Sequence, residues 1–294
     1  MTFLALLTKE LRLRMRRERT IWVIVVYILL MGLLGWFFIT RFTDNNSYYG
    51  SNGWSDAGRN LYVLLSLLQL FLIVFITPAF TATAVNGEKE RQTYDLLLCS
   101  RLSAFALVCG KLVAGLMNAL LLIAASAPLF SLVFFFGGVA PDQVLSALLI
   151  FVDTAFVIGT LGLLCSTLFQ RPAVSTAITY LLSLLWIVMP LLIFFIRTLG
   201  DVGGGSSMKG YPWSLAWNPA IALYSTFSMG SLGGVNAFLV GSMQIAPWVV
   251  FSLLSVLGTA ILFLLSMWTA KPNALARFRT WRKGKDTQAA ASAL

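Results

Sequence analysis

This 294-residue chain should fold as an all-α integral membrane protein with six transmembrane helices, on three grounds. Hydrophobic residues make up 59% of it and charged residues only 11%, a balance far from that of a water-soluble domain. Six apolar runs are long enough to cross a hydrocarbon core, which takes roughly 20 residues of helix. The runs are continuous rather than alternating, and Leu, Ala and Phe dominate them, which favours helices over barrel strands.

In chain order, Leu4, Leu7, Leu11 and Met15 recur at helical spacing among basic residues. That spacing predicts an N-terminal interfacial helix over residues 1–20, with a plain charged anchor as the other reading. The basic region runs to Arg19 and no small-x-small site follows closely, so the start does not read as a cleavable signal peptide. The six spans are placed at residues 21–40, 61–85, 106–136, 144–168, 173–196 and 247–269. Span three is longer than a straight crossing needs and carries Pro128. Pro78 and Pro190 also lie inside spans, where they allow kinks.

The connections differ in kind. Residues 41–60 are rich in Asn, Ser, Gly and Tyr and read as a solvated loop. Gly137-Gly-Val-Ala-Pro-Asp142 is a tight turn with an Asp-led start to the next helix. Gln170-Arg-Pro172 is tighter, with Pro172 suited to the first turn of span five. Between spans five and six, residues 213–227 and 235–246 are apolar but too short to cross. Half-length apolar segments predict a re-entrant or interfacial helical hairpin, a folded cap or a lid. The organisation is therefore residues 1–20, a membrane domain over 21–270, and a basic tail over 271–294.

Net charge is +10, and its distribution sets orientation. Of the 21 Lys and Arg, 17 fall before span one, between spans two and three or at the start of span three, between four and five, or after span six. Only Arg41, Arg59, Arg197 and Lys209 fall on the other side. The positive-inside rule puts both termini in the cytoplasm of a plasma membrane, and the basic ends can hold anionic lipid. No motif points to nucleic acid.

Catalytic chemistry is sparse. There is no His, so imidazole ligation and Ser-His or Cys-His nucleophiles are absent, and no catalytic or metal site is predicted. Cys99, Cys109 and Cys165 lack any CxxC spacing. The phosphate-cradling G-x-x-x-x-G-K-[ST] pattern does not occur; Gly110-Lys111 is followed by Leu112. Asp153 is the one acidic residue within the spans, and it needs a polar partner such as Asn118 or a Ser or Thr of a neighbouring helix.

The specific signal lies between spans two and three. Residues 88–103 read Glu-Lys-Glu-Arg-Gln-Thr-Tyr-Asp-Leu-Leu-Leu-Cys-Ser-Arg-Leu-Ser, followed by Gly110-Lys111. Acidic residues open the segment, as suits a helix N-terminus, and leucines and Arg101 follow. A short charged helix between two spans can present apolar and charged groups together to a soluble partner. The segment resembles the intracellular loop of ABC-2 type permeases, membrane subunits of ATP-binding-cassette exporters. Glu88, Glu90, Thr93, Asp95, Leu96, Leu97, Leu98, Leu102, Ser103, Gly110 and Lys111 match that pattern, while Gln92 and Arg101 replace its usual Gly and Pro. The six-span layout and Asn218-Pro219 resemble the same family.

The resemblance implies a permease that performs no covalent chemistry and pairs with a second copy or a paralogue. Two separately encoded ATPase subunits would bind ATP and Mg. The helix at residues 86–100 would couple to the ATPase through Glu88, Glu90, Arg91, Thr93, Asp95, Leu96, Leu97, Leu98 and Arg101. Substrate would meet spans two and five, with Phe71, Phe75, Tyr180, Trp186 and Phe194 as candidate contacts. An ATP-independent carrier or channel is the alternative reading.

Overall fold

A computed structural model describes residues 18–45, 53–90, 104–200, 213–227, 238–240 and 243–270. Most of the predicted interfacial helix, the basic tail and residues 91–103 lie outside the described residues. Six helices are long and apolar enough to cross a membrane. They are α1 (Glu18–Asn45), α2 (Gly53–Thr81), α4 (Ala104–Phe136), α5 (Pro141–Leu168), α6 (Pro172–Gly200) and α8 (Pro247–Ala270). A short helix α3 (Asn86–Glu90) follows α2, and α7 (Pro219–Phe227) lies between α6 and α8.

Several boundaries differ from the hydropathy reading. Residues 41–45 and 53–60, expected as loop, are helical, because backbone hydrogen bonding continues past the point where the apolar run stops. Conversely α2 ends at Thr81 rather than Val85. Residues 82–85 form a turn, and the N–H groups of Val85 and Asn86 donate to the Ser166 hydroxyl at 2.9 and 3.1 Å. The start of α5 is not capped by Asp142. Its N-cap is Ala140, and the Gln143 side chain accepts from the Ala140 N–H at 3.1 Å. Asp142 sits in the first turn, where its charge faces the positive helix end. Proline opens α5, α6, α7 and α8, at the position where the missing N–H has no intrahelical partner.

The second limb of the expected helical hairpin is not helix. Phe238–Val240 (β1) pairs antiparallel with Met243–Ile245 (β2), with Val240 opposite Met243. The joining pair is Gly241-Ser242, a Gly-first sequence that suits a two-residue hairpin connection, and the flanking residues include β-formers. Limbs this short do not distinguish a strand from a short helix by composition alone.

Helix α5 is the hub. It packs against α2, α4, α6, α7 and α8, and 61% of its apolar span is buried against protein, compared with 11% for α6. Small residues allow this. A Cβ on Gly159 would come within 2.5 Å of Leu116, and one on Gly115 within 2.8 Å of Thr81. A Cβ on Gly162 would run into the Thr81 hydroxyl. The bare glycine backbones thus let three helices converge around Thr81. Helix α1 packs on α2 and α4, where Tyr27 donates to Gln69.

Candidate functional site

The charged segment that the sequence singles out enters the structure at the α3 end of the bundle. Glu90 is exposed there, whereas Lys89 turns back against α5. Its Nζ donates to the carbonyls of Thr167 at 2.6 Å and Ser166 at 3.1 Å. These lie in the last turn of α5, whose terminal carbonyls have no partner within their own helix. A lysine there caps the helix end and meets the negative end of its dipole. Burial pushes the ammonium of Lys89 down from 10.5 to about 8, against the carbonyls, which favour the charged form.

Asn86 extends the same contact. With its amide nitrogen turned to the carbonyls, it donates to Phe169 at 2.6 Å and to Ser166. Ser175, in the first turn of α6, donates to the Ala82 carbonyl at 2.8 Å. The hydroxyls of Thr167 and Thr269 lie 2.9 Å apart and link α5 to α8. Four helix ends are thus hydrogen-bonded together around the turn at residues 82–85. Of the predicted coupling residues, Glu88 and Glu90 belong to α3, while Arg91, Thr93, Asp95, Leu96, Leu97, Leu98 and Arg101 lie outside the described residues.

Deeper in the bundle, Asp153 of α5 accepts from Ser252 of α8, on the most extensive helix pairing among the described residues. Asn118 is buried in α4, and the partner of Asp153 is this serine instead. A serine inside an apolar run carries no signal of its own, which is why the sequence could only name a class of partner.

The candidate aromatics divide into two groups. Phe71, Phe75 and Tyr180 form one patch between α2 and α6, with ring centroids 4.5 and 6.1 Å apart, and both phenylalanines are exposed. Trp186 instead stacks on Phe251 inside the bundle, and Phe194 packs on the Leu215 and Ile221 cluster.

Two proline-containing helices use their loosened ladders in the same way. Tyr180 donates to the Phe75 carbonyl at 2.6 Å, three residues before Pro78. Asn218 donates to the Ile187 carbonyl at 2.7 Å, three residues before Pro190. A proline disturbs the preceding turn, and side chains from neighbouring helices supply donors to it. Asn218 also caps α7, its Oδ1 accepting from the Ala220 N–H at 2.9 Å. At the far end of α7, Arg59 donates to the Phe227 carbonyl at 3.1 Å, and Tyr62 meets the Phe227 ring edge-on at 5.0 Å.

Sequence reasoning missed Asn86, Ser166, Thr167 and the anchoring role of Lys89. Gly159, Gly162 and Ser166, small residues spaced along one helix face, were the readable trace of the close approach.

Comparison with known protein families gives a match over most of the chain. A family model described as ABC-2 family transporter protein covers residues 55–268. No curated protein matches the chain.

Proposed function

The chain belongs to the ABC-2 family of transporter proteins, and from that premise we propose that it is the membrane permease of an ATP-driven exporter. It is a multi-pass transmembrane component of an ABC transporter. In this reading a separate ATPase binds ATP and Mg, and docks on residues 86–100. A second permease copy or paralogue completes the path. The observation that carries the reading is the family match itself, which takes in residues 86–100 and five of the six long helices.

The geometry is consistent with the assigned parts. Helix α3 leads out of the bundle with Glu90 exposed, as the start of a docking helix must. The patch of exposed Phe71 and Phe75 with half-buried Tyr180 lies on α2 and α6, the helices that would face the partner permease and its substrate. The α3 end is the cytoplasmic one, by the basic asymmetry of the loops. In this reading residues 213–227 enter the membrane from the other side, which two contacts support. Asn218 reaches a carbonyl midway along α6, and Trp217 packs on Gly258 midway along α8.

The test uses the purified chain with and without its ATPase. Alone, it should show no ATP hydrolysis, and hydrolysis by the ATPase should change when the two are reconstituted together. Leu97→Asp should weaken capture of the ATPase and abolish transport while leaving the stability of the lone permease in detergent unchanged, since each buried leucine is worth about 1.5–3 kcal/mol. Glu90→Gln should act more mildly and depend on salt, because rim charges contribute only about 0–1 kcal/mol. Lost stability with normal capture would refute docking through that face. Solute movement in liposomes without ATP would establish the carrier alternative. For orientation, cysteines at Ser206 and Ser292 should label from outside and only after permeabilisation, respectively.

A further inference from the structure

Residues 86–100 are joined covalently to α2 and α4, yet the bonds at their entry run to α5. Lys89 and Asn86 hold three carbonyls at the end of that helix, and the Ser166 hydroxyl accepts from the N–H groups of Asn86 and of Val85 just before it. Thr81, one turn upstream, is wedged against Gly162 of α5, so the joint has no slack in which to slide. Beyond the joint, α5 passes directly to α8 through Thr167 with Thr269 and Asp153 with Ser252.

We propose that Lys89 is a positioning residue for energy coupling, clamping the docking segment to the end of α5 so that its displacement drives α5 and α8. The inference rests on the reading in which an ATPase docks on residues 86–100. A cation is well suited to this position. One ammonium offers three donors and reaches two terminal carbonyls of α5 at once, whereas an apolar side chain would take the donor from the Thr167 carbonyl and leave that of Ser166 to Asn86 alone. Glu90, the next residue, is exposed, so at its described start the segment has one residue held by the permease and the next facing outward.

The experiment uses the full chain with the ATPase that co-purifies with it, in lipid nanodiscs. Spin labels go on cysteines at Gln170 and Phe105, both exposed, in a background lacking Cys99, Cys109 and Cys165. With Lys89 intact, trapping the ATPase with ATP and vanadate should shift the distance between the labels by roughly 2 Å or more, the scale of helix displacements in switching proteins. In Lys89→Met that shift should be lost, while ATPase capture and ATP hydrolysis persist. Lys89→Arg should restore it. If Lys89→Met fails to insert, Ser166→Ala removes the other half of the joint and should abolish the shift in the same way. A full shift in Lys89→Met, or in Ser166→Ala where that variant is used, would overturn the proposal, as would no shift with Lys89 intact in a hydrolysing complex. Loss of capture in Lys89→Met would place Lys89 in the docking contact and also overturn it. Failure of the unaltered chain to capture any ATPase would defeat the parent reading, and this one with it.

Discussion

Thr81 lies against Gly162 so closely that a single methyl on the glycine would come within 2.3 Å of the threonine hydroxyl. The contact closes the joint between α2 and α5, one turn before the chain leaves the bundle.

Gly162→Ala should therefore lower the thermal stability of the detergent-solubilised protein, by about 1–3 kcal/mol for overpacking of this kind. Thr81→Ala removes the hydroxyl that the new methyl meets. The double variant should recover part of the loss, but not all, because the Ala82 nitrogen remains 3.2 Å from the added carbon. Equal stability of Gly162→Ala and the unaltered protein would show that the joint is looser than described.

Asp153 and Ser252 predict a graded series. Asp153→Asn keeps a side chain able to bond the serine and should retain most stability. Asp153→Leu leaves the Ser252 hydroxyl unpaired and should cost about 0.6 kcal/mol, at most about 1.7, as interhelical hydrogen bonds do in membranes. Ser252→Ala should then cost less in the Leu background than in the native one. Additive losses would mean that the two residues act independently.

Asn218 separates capping from bridging. Asp caps helices as well as Asn does, but Asn218→Asp would set a carboxylate oxygen against the Ile187 carbonyl. Asn218→Asp should thus be no more stable than Asn218→Ala, for which loss of the cap alone costs about 1 kcal/mol. An Asp variant as stable as the native protein would remove the bridge to α6 from the account.

Lys89 predicts a pH dependence with a definite sign. Its ammonium is lowered by burial from 10.5 to about 8, so between those values the released segment carries a proton that the docked one lacks. Stability of the docked joint should rise as pH climbs through that window and should be level below it. Thermal melts of the unaltered protein should show this rise relative to Lys89→Met. A falling difference would mean that the carbonyls of α5 outweigh burial and hold the lysine charged.

The aromatic residues show how far the sequence could be read. Phe71, Phe75, Tyr180, Trp186 and Phe194 are alike by composition and by their place in apolar runs. Inside a membrane, lipid and protein core are equally apolar, so hydropathy cannot say which face of a helix turns inward. The fold sorted them, grouping three between α2 and α6 with both phenylalanines exposed and packing two on buried clusters. The same limit applies to residues 238–245, where a short apolar run is read equally well as helix or as ribbon.

Span number, the positions of the six long helices and the charged segment at residues 86–100 were set by the sequence alone. Each depends on local quantities: apolar length against membrane thickness, and charge placement along the chain. Tertiary structure alone decided that α5 is the hub, that Ser252 partners Asp153, and that Lys89 faces α5 while Glu90 faces outward. Those facts depend on which helix ends converge. Convergence is set by the close approach of backbones at Gly115, Gly159 and Gly162, between residues distant in sequence, and it leaves no signature in hydropathy.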